Sequence, residues 1–329
     1  MLFVNTIPIR TLVAVAALVA TGAFADVTIG GNLNQAYTTT TVNGSSPSKT
    51  TGLSAASNSN FVTFAGSEDL GSGLKASFKF EPGVSLNGGN TFGGSREGWI
   101  GVAGAFGDIK VGQQYTDIFF TVVGTDPNGF NNIVGWGPSS AMLNSANGNS
   151  LVANTDTISY VLPTLVEGVT VAINSFRPNV LPEGSWNTTS HAATTSATTF
   201  GSTGNSYRVS YANGGLYVGY SARSAAADKG TAYAASYDFG VAKIAYTSID
   251  STISGTRTTD STYTISAPVT SAASVGLSSG SYNAGTKTTN AQFGGYYNLS
   301  KRTQLYGIYG KSSATASTTT TAFGVNHAF

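Results

Sequence analysis

The sequence predicts an all-β fold in which sixteen antiparallel strands close into a transmembrane barrel. Strand-like runs recur with apolar residues at every second position, and the connections between them alternate between short turns and longer loops. Charged residues make up 9% of the chain, whereas an average soluble domain contains about 25%. These three observations fit a sheet whose outer face contacts lipid and whose inner face contacts water.

The strand prediction rests on a period of two, which places alternate side chains on opposite faces of a strand. The segment GLKASFKFE, residues 73–81, is the clearest example, because Leu, Ala, Phe and Phe alternate with Lys, Ser, Lys and Glu. The final segment AFGVNHAF alternates Phe323 and Val325 with glycine and asparagine. Sixteen such runs are predicted, near residues 26–38, 58–67, 73–81, 95–106, 108–117, 154–163, 168–177, 205–212, 215–224, 231–239, 240–250, 258–269, 273–282, 288–298, 303–312 and 318–329.

The connections predict that this sheet is closed. Short reversals rich in glycine, asparagine and aspartate, such as NGG and FGD, alternate with long segments near residues 39–57, 82–94, 118–153 and 178–204. Turns at one rim and loops at the other are typical of transmembrane barrels. Because lipid satisfies no backbone polar groups, a membrane sheet must have no open edge. We therefore expect the last run to pair with the first.

The first 25 residues have the layout of a secretory signal peptide. Arg10 precedes the apolar run TLVAVAALVA, and small residues precede a cleavage site after Ala25. We therefore assign residues 1–25 to a signal peptide and residues 26–329 to one barrel domain.

Charge and cysteine content exclude several classes of partner and site. The chain has 16 basic and 15 acidic residues, and loss of Arg10 with the signal peptide leaves 15 of each. A neutral balance argues against a nucleic-acid partner, which would require a basic excess. The chain contains no cysteine, so disulfides and thiolate metal sites are excluded.

Six stretches give the chain a family resemblance through their order and spacing. They are DVTIGGNLNQAY, SEDLGSGLKASFKFE, SREGWIGVAGAFGDIKVGQQYTD, YDFGVAKIAYT, GGYYNLSKRTQLYGIYGK and GVNHAF. With them, residues 26–329 resemble general diffusion porins of Gram-negative outer membranes, of the β-proteobacterial type. The resemblance implies a homotrimer in outer-membrane lipid and a third extracellular loop folded into the lumen. It also implies passive diffusion of ions and small hydrophilic solutes through a water-filled channel, and identifies Phe329 as the signal read by the outer-membrane insertion machinery.

The chain departs from the family pattern at positions that often carry basic residues. Gln113 and Ser159 stand where the family often has pore-lining arginines, and the acidic Pro-Glu-Phe-Gly-Gly segment of the third loop is absent. We therefore expect only weak ion selectivity.

Charged residues on the polar parity of the strands are the candidates for the lumen. Most of them are expected simply to contact water, but those opposite the third loop are expected to set a field across the channel. Asp117 and Asp126 bracket the start of that loop. The pore-lining candidates are Lys75, Lys79, Arg96, Lys110, Gln113, Asp117, Asp126, Arg208, Arg223 and Lys243.

The inward residue near the end of the fifth run has two interpretations. Strict alternation from Ile109 and Val111 points Gln114 into the lumen, whereas the family pattern points Gln113 there. A β-bulge near Gly112 would reconcile the two.

Two other classes of protein share some of these features. An exported all-β adhesin or surface-layer protein would have the signal peptide and the low charge, but it has no need of one-sided loops or a terminal aromatic residue. A barrel enzyme needs a nucleophile, a base and an orienting group. The two histidines do not supply them, because His191 lies in a Ser/Thr-rich segment and His327 in the final run. We therefore predict no enzyme activity, no metal and no cofactor.

Overall fold

The computed structural model describes most of the barrel and the beginning and end of the third loop. The described residues are 26–54, 60–88, 92–123, 125–126, 151–177, 186–187, 192–193, 203–226, 228–253 and 255–329. The predicted signal peptide, residues 1–25, lies outside the described residues, as do residues 127–150 of the third loop.

Within the described residues, sixteen antiparallel strands form one closed sheet, in which each strand pairs with its neighbours in the chain. They are β1 Asp26–Asn43, β2 Phe61–Gly71, β3 Leu74–Val84, β4 Phe92–Gly104, β5 Gly107–Tyr115, β6 Ala153–Val161, β7 Val169–Arg177, β8 Gly204–Asn213, β9 Leu216–Ala225, β10 Asp228–Asp238, β11 Lys243–Ile253, β12 Thr256–Pro268, β13 Ala273–Asn283, β14 Lys287–Asn298, β15 Thr303–Ser313 and β16 Ser317–Ala328. A short strand, Ser48–Ser54, extends the first loop, and a small hairpin joins Trp186–Asn187 to Ala192–Ala193.

The barrel closes where β1 meets β16, as the sequence predicts. Asn32 through Asn43 pair with Ala328 through Ser317 in one continuous antiparallel register. The pairing extends to Phe329, whose backbone N–H and C=O both bond to Gly31 at 3.1 Å. The Phe329 ring lies against Gly31, where an added Cβ would come within 2.6 Å of it. Closure leaves β1 and β16 without an unpaired edge, which is what a lipid surrounding demands.

The sixteen predicted runs each coincide with one observed strand, but the first loop contains strand that the pattern missed. Residues 39–43 belong to β1 and pair with β16, while Val42 to Ala36 also pair with Ser48–Ser54. Residues 39–43, TTTVN, have no apolar alternation. Threonine is β-branched and favours extended backbone, so the segment forms strand without showing a period.

The two faces of the sheet differ as the alternation predicts. On β12, Tyr263 is 64% exposed, while its neighbours Thr262 and Thr264 are 4% and 5% exposed. The outer face carries exposed aliphatic and aromatic side chains such as Ile100 and Phe323, and the inner face is mainly polar. Among the described residues, no helix is long and apolar enough to cross a membrane.

A short helix, α1 Asp117–Val123, leaves the end of β5 and packs on the inner wall. Thr116 caps it, since its Oγ1 accepts a hydrogen bond of 3.0 Å from the backbone N–H of Phe119. The sequence pattern placed the fifth run near residues 108–117 and gave no indication of this helix. A helix of seven residues, about two turns, is too short to show a period in the sequence.

Helix α1 packs against an apolar patch on the inner wall, whose face is otherwise polar. Ile118 and Val122 are 0% and 1% exposed, and they cluster with Ala232, Ile249 and Ile253 of β10 and β11. Helix α1 thus runs along the inside of the barrel.

Candidate functional site

A compact group of charged side chains lies on the inner face of β3 and β4. Alternation puts Lys79 and Glu81 on one face of β3, and the strand register places Glu97 directly opposite Glu81. The Glu81 carboxylate forms ion pairs of 2.9 Å with both Lys79 Nζ and Arg96 Nε. Lys79 also contacts Glu97, so two bases and two acids form a neutral cluster.

The acids of this cluster lie deeper in the wall than the bases. The side chains of Lys79 and Arg96 are 25% and 26% exposed, whereas those of Glu81 and Glu97 are 4% and 9% exposed. Thr63 Oγ1 donates a further hydrogen bond of 2.8 Å to Glu81. A solute in the lumen therefore meets the basic groups first, with their charge already compensated.

A second polar group anchors the start of α1. Asp117 is 1% exposed, and its Oδ2 accepts hydrogen bonds of 2.5 Å from Asn174 on β7 and Ser206 on β8. Arg208 Nε lies 3.8 Å from Oδ1 of the same carboxylate. Burial raises the pKa of Asp117 above its ordinary value, although these hydrogen bonds and Arg208 oppose the rise. Asp117 therefore anchors the start of the third loop to strands β7 and β8 of the inner wall.

A row of aromatic rings joins the two polar groups. Tyr115 stacks on Phe119 with 4.1 Å between ring centroids, and Phe119 meets Phe120 edge-on at 5.9 Å. The Arg96 guanidinium lies 5.8 Å from the Tyr115 ring, and the Arg208 guanidinium lies 5.3 Å from the Phe120 ring. Side chains of β4, β5, α1 and β8 thus form one continuous row.

Both glutamines at the end of β5 are placed by the structure. The Gly112 backbone has a φ of +130°, and the β5–β6 register shifts between Gly112 and Gln114. The extra residue is on β6, so the alternation of β5 itself continues. Gln114 accepts a hydrogen bond of 2.7 Å from Ser159 Oγ. Gln113 instead donates to the backbone carbonyl of Arg96 at 3.3 Å.

Three of the remaining candidates lie near β5 or the short-turn rim. Lys110 Nζ is 3.0 Å from Asp108 and 4.5 Å from the centroid of the Trp99 ring. Lys75 stands opposite Asp69 across the β2–β3 turn, and Lys243 opposite Asp238 across the β10–β11 turn. Each of these bases has an acid close by.

The last two candidates are more deeply placed than the parity suggests. Arg223 is 4% exposed, with its guanidinium 4.7 Å from the Phe176 ring. Asp126 is 8% exposed and follows α1, where its backbone N–H donates to Val123 at 3.3 Å. Neither side chain presents its full charge to the lumen.

The sequence reasoning missed several residues that complete these groups. They are Glu97, Tyr115, Phe119, Phe120, Asn174, Ser206, Ile249 and Ile253. One signal existed for the apolar pair, because Ile249 and Ile253 have the opposite parity to Ile244 and Tyr246 within KIAYTSIDSTI. Apolar residues at strand positions that should face water indicate that another segment of the chain packs against them.

Comparisons with known proteins agree with this architecture. A family model described as Gram-negative porin matches residues 11–317. A 75-residue segment is 44% identical to the major outer membrane protein P.IA of Neisseria meningitidis serogroup B, covering 22% of this chain. That segment spans 19% of the relative, about a fifth of its length.

Two solved structures share the fold over nearly the whole chain. An anion-selective porin from Comamonas acidovorans superposes with a TM-score of 0.76 at 22% identity, covering 93% of this chain and 100% of that one. The trimer form of OmpT of Vibrio cholerae gives a TM-score of 0.60 at 13% identity, covering 93% and 99%. With the family match over residues 11–317, the chain belongs to the Gram-negative porin family and is an integral outer-membrane β-barrel.

Proposed function

We propose that this protein forms a water-filled channel for passive diffusion of ions and small hydrophilic solutes across the outer membrane. The observation that carries the proposal is the closed barrel whose inner face is polar while its outer face is apolar. Tyr263, 64% exposed between two buried threonines, illustrates this division. Polar side chains inside and lipid-compatible side chains outside are the arrangement of an aqueous pore.

The channel is only weakly selective between anions and cations. The ion pairs in the inner wall support this, because Lys79 and Arg96 are balanced by Glu81 and Glu97. Arg208 is similarly balanced by Asp117. The solved structure from Comamonas acidovorans is named for anion selectivity, but in this chain Gln113 and Ser159 occupy positions where the family resemblance leads us to expect arginine. Compensated charges produce a small net field, which salt screens further.

The functional form is a homotrimer in outer-membrane lipid, and Phe329 is the signal for the insertion machinery. The shared fold with a structure described as a trimer supports the first part. The position of Phe329 at the β1–β16 seam supports the second, because its backbone completes barrel closure. Residues 1–25 serve as the export signal.

The channel has no catalytic activity. The charged groups Lys79, Glu81, Arg96 and Glu97 of the inner wall pair with one another, and the family resemblance implies a passive conduit. An adhesin or surface-layer role does not account for the closed barrel or the family match.

A liposome-swelling assay tests the proposal directly. Liposomes containing the refolded protein should swell in neutral solutes at rates that fall as solute size rises. Protein that has been boiled before reconstitution serves as the control. Swelling no faster than in protein-free liposomes would contradict the proposal.

A further inference from the structure

An aromatic side chain stands open to the water of the lumen, in contrast to its neighbours on α1. Phe120 is 40% exposed, while Ile118 and Val122 of the same helix are 0% and 1% exposed. Because α1 buries those two residues against the wall, Phe120 projects from the opposite side, into the lumen. An exposed phenyl ring inside an aqueous channel offers a flat apolar surface to passing solutes.

This ring is held in a fixed position. The Tyr217 hydroxyl donates to the backbone carbonyl of Phe120 at 3.3 Å and to that of Thr121 at 2.9 Å. Phe119 and the Arg208 guanidinium pack against the ring from two directions. A preorganised surface loses little conformational entropy when a ligand binds to it.

The polar groups next to this row carry hydrogen-bonding capacity without net charge. Lys79, Arg96, Glu81 and Glu97 neutralise one another, and Tyr115 reaches toward Glu81 Oε1 at 3.4 Å. Such groups can donate to and accept from hydroxyls on a ligand. A free anion or cation would gain little from them, because each charge already has a counter-charge.

We propose that Tyr115, Phe119 and Phe120, together with the Lys79–Glu81–Arg96–Glu97 cluster, form a retention subsite for neutral pyranose sugars. The inference rests on the proposed channel function. One face of a pyranose ring is formed by C–H groups and stacks on an aromatic ring, while its hydroxyls hydrogen bond to the charged cluster. The subsite requires a solute with both a flat apolar face and a rim of hydroxyls.

Single-channel recording in planar bilayers tests this assignment with two closely related probes. Glucose and sorbitol have the same number of carbons, but glucose is a pyranose ring and sorbitol is an open chain. We expect glucose to raise the current noise and lower the mean current in a saturable way, and sorbitol to change the current only in proportion to viscosity. Equal responses to glucose and to the sugar alcohol sorbitol would overturn the proposal, and this comparison needs only the wild-type protein.

A pair of matched substitutions locates the effect. Phe120→Leu keeps an apolar side chain but removes the flat ring, so the half-saturating glucose concentration should rise about two- to tenfold. Phe239→Leu makes the same change in a ring that is 57% exposed and contacts the Tyr237 ring at a tilt, outside the lumen. It should leave the glucose response at its wild-type value. An unchanged response in Phe120→Leu would overturn the proposal.

Benzoate separates sugar retention from general aromatic binding. A block by benzoate with no response to glucose would contradict the proposed ligand class. Normal ion conductance without any ring-specific response would overturn the subsite and leave the channel function standing. The absence of any conductance would instead contradict the channel function itself.

Discussion

At the scale of single residues, the side of the sheet decides what a substitution does. Ser77 and Phe78 are adjacent on β3, yet alternation points the first into the lumen and the second into lipid. The Phe78 ring lies over Gly66 of β2, where an added Cβ would come within 2.5 Å of the ring. The same new charge should therefore have different consequences at the two positions.

Phe78→Arg should lower the free energy of unfolding by about 2–4 kcal/mol, the cost of a basic residue near the bilayer midplane. Ser77→Arg should cost less, because its guanidinium remains in water. Urea unfolding in lipid vesicles, followed by tryptophan fluorescence, measures both values. Equal losses would mean that the two faces of β3 are wrongly assigned.

The two glutamines of β5 allow a comparable test of position in the channel. Gln114 contacts inward-facing Ser159, whereas Gln113 is bonded to a backbone carbonyl of β4. Gln114→Arg should therefore shift the zero-current potential toward anion selectivity by more than Gln113→Arg does. Both variants must first show heat-modifiable migration, as a control for folding. A larger shift from Gln113→Arg would support the family-based placement instead.

At the scale of elements, the docking of α1 depends on apolar contacts across the lumen wall. Ile118→Ala and Ile249→Ala should each speed hydrogen exchange at the amides of α1, because both remove buried contacts. The double variant should show coupling of about 0.5–3 kcal/mol, as expected for residues in contact. Ile244→Ala, on the outer face of the same strand, should leave exchange in α1 unchanged. Strictly additive effects would show that Ile118 and Ile249 do not stabilise α1 together.

The seam between β1 and β16 is the element on which assembly depends. Phe329→Ser should reduce the amount of folded, heat-modifiable protein in the outer membrane while export continues. Phe329→Tyr, which keeps an aromatic ring against Gly31, should assemble close to the wild-type level. Cell fractionation followed by unheated gels measures both. Normal assembly of Phe329→Ser would show that Phe329 is not part of the assembly signal.

The strands could be predicted from the sequence because each strand has one face in lipid and the other in water. This difference makes apolar and polar residues alternate with a period of two. Where no such difference exists, the prediction failed. Residues 39–43 and Ser48–Ser54 pair with other strand segments without an apolar alternation, and α1 is too short to show a helical period. The candidate site was predicted only in part. Lys79, Arg96 and Arg208 were named as pore-lining candidates on the strands, and Asp117 by its place at the start of the third loop. Their pairing depends on strand register and on the path of α1.

At the scale of the whole molecule, we expect the balance of charge to determine how the channel discriminates between anions and cations. Residues 26–329 contain equal numbers of acids and bases, and the ion pairs of the inner wall compensate charge locally. Salt screens the residual field within about 8 Å at physiological ionic strength and within about 30 Å at 0.01 M. Dilution should therefore strengthen whatever preference the channel has.

The zero-current potential across a planar bilayer, measured in a tenfold potassium chloride gradient, tests this account most directly. At moderate salt the potential should lie close to zero, and it should grow as both solutions are diluted at a constant ratio. A potential that approaches the limit of about 59 mV for one univalent ion at moderate salt, with the sign of anion selectivity, would contradict the weakly selective channel described here.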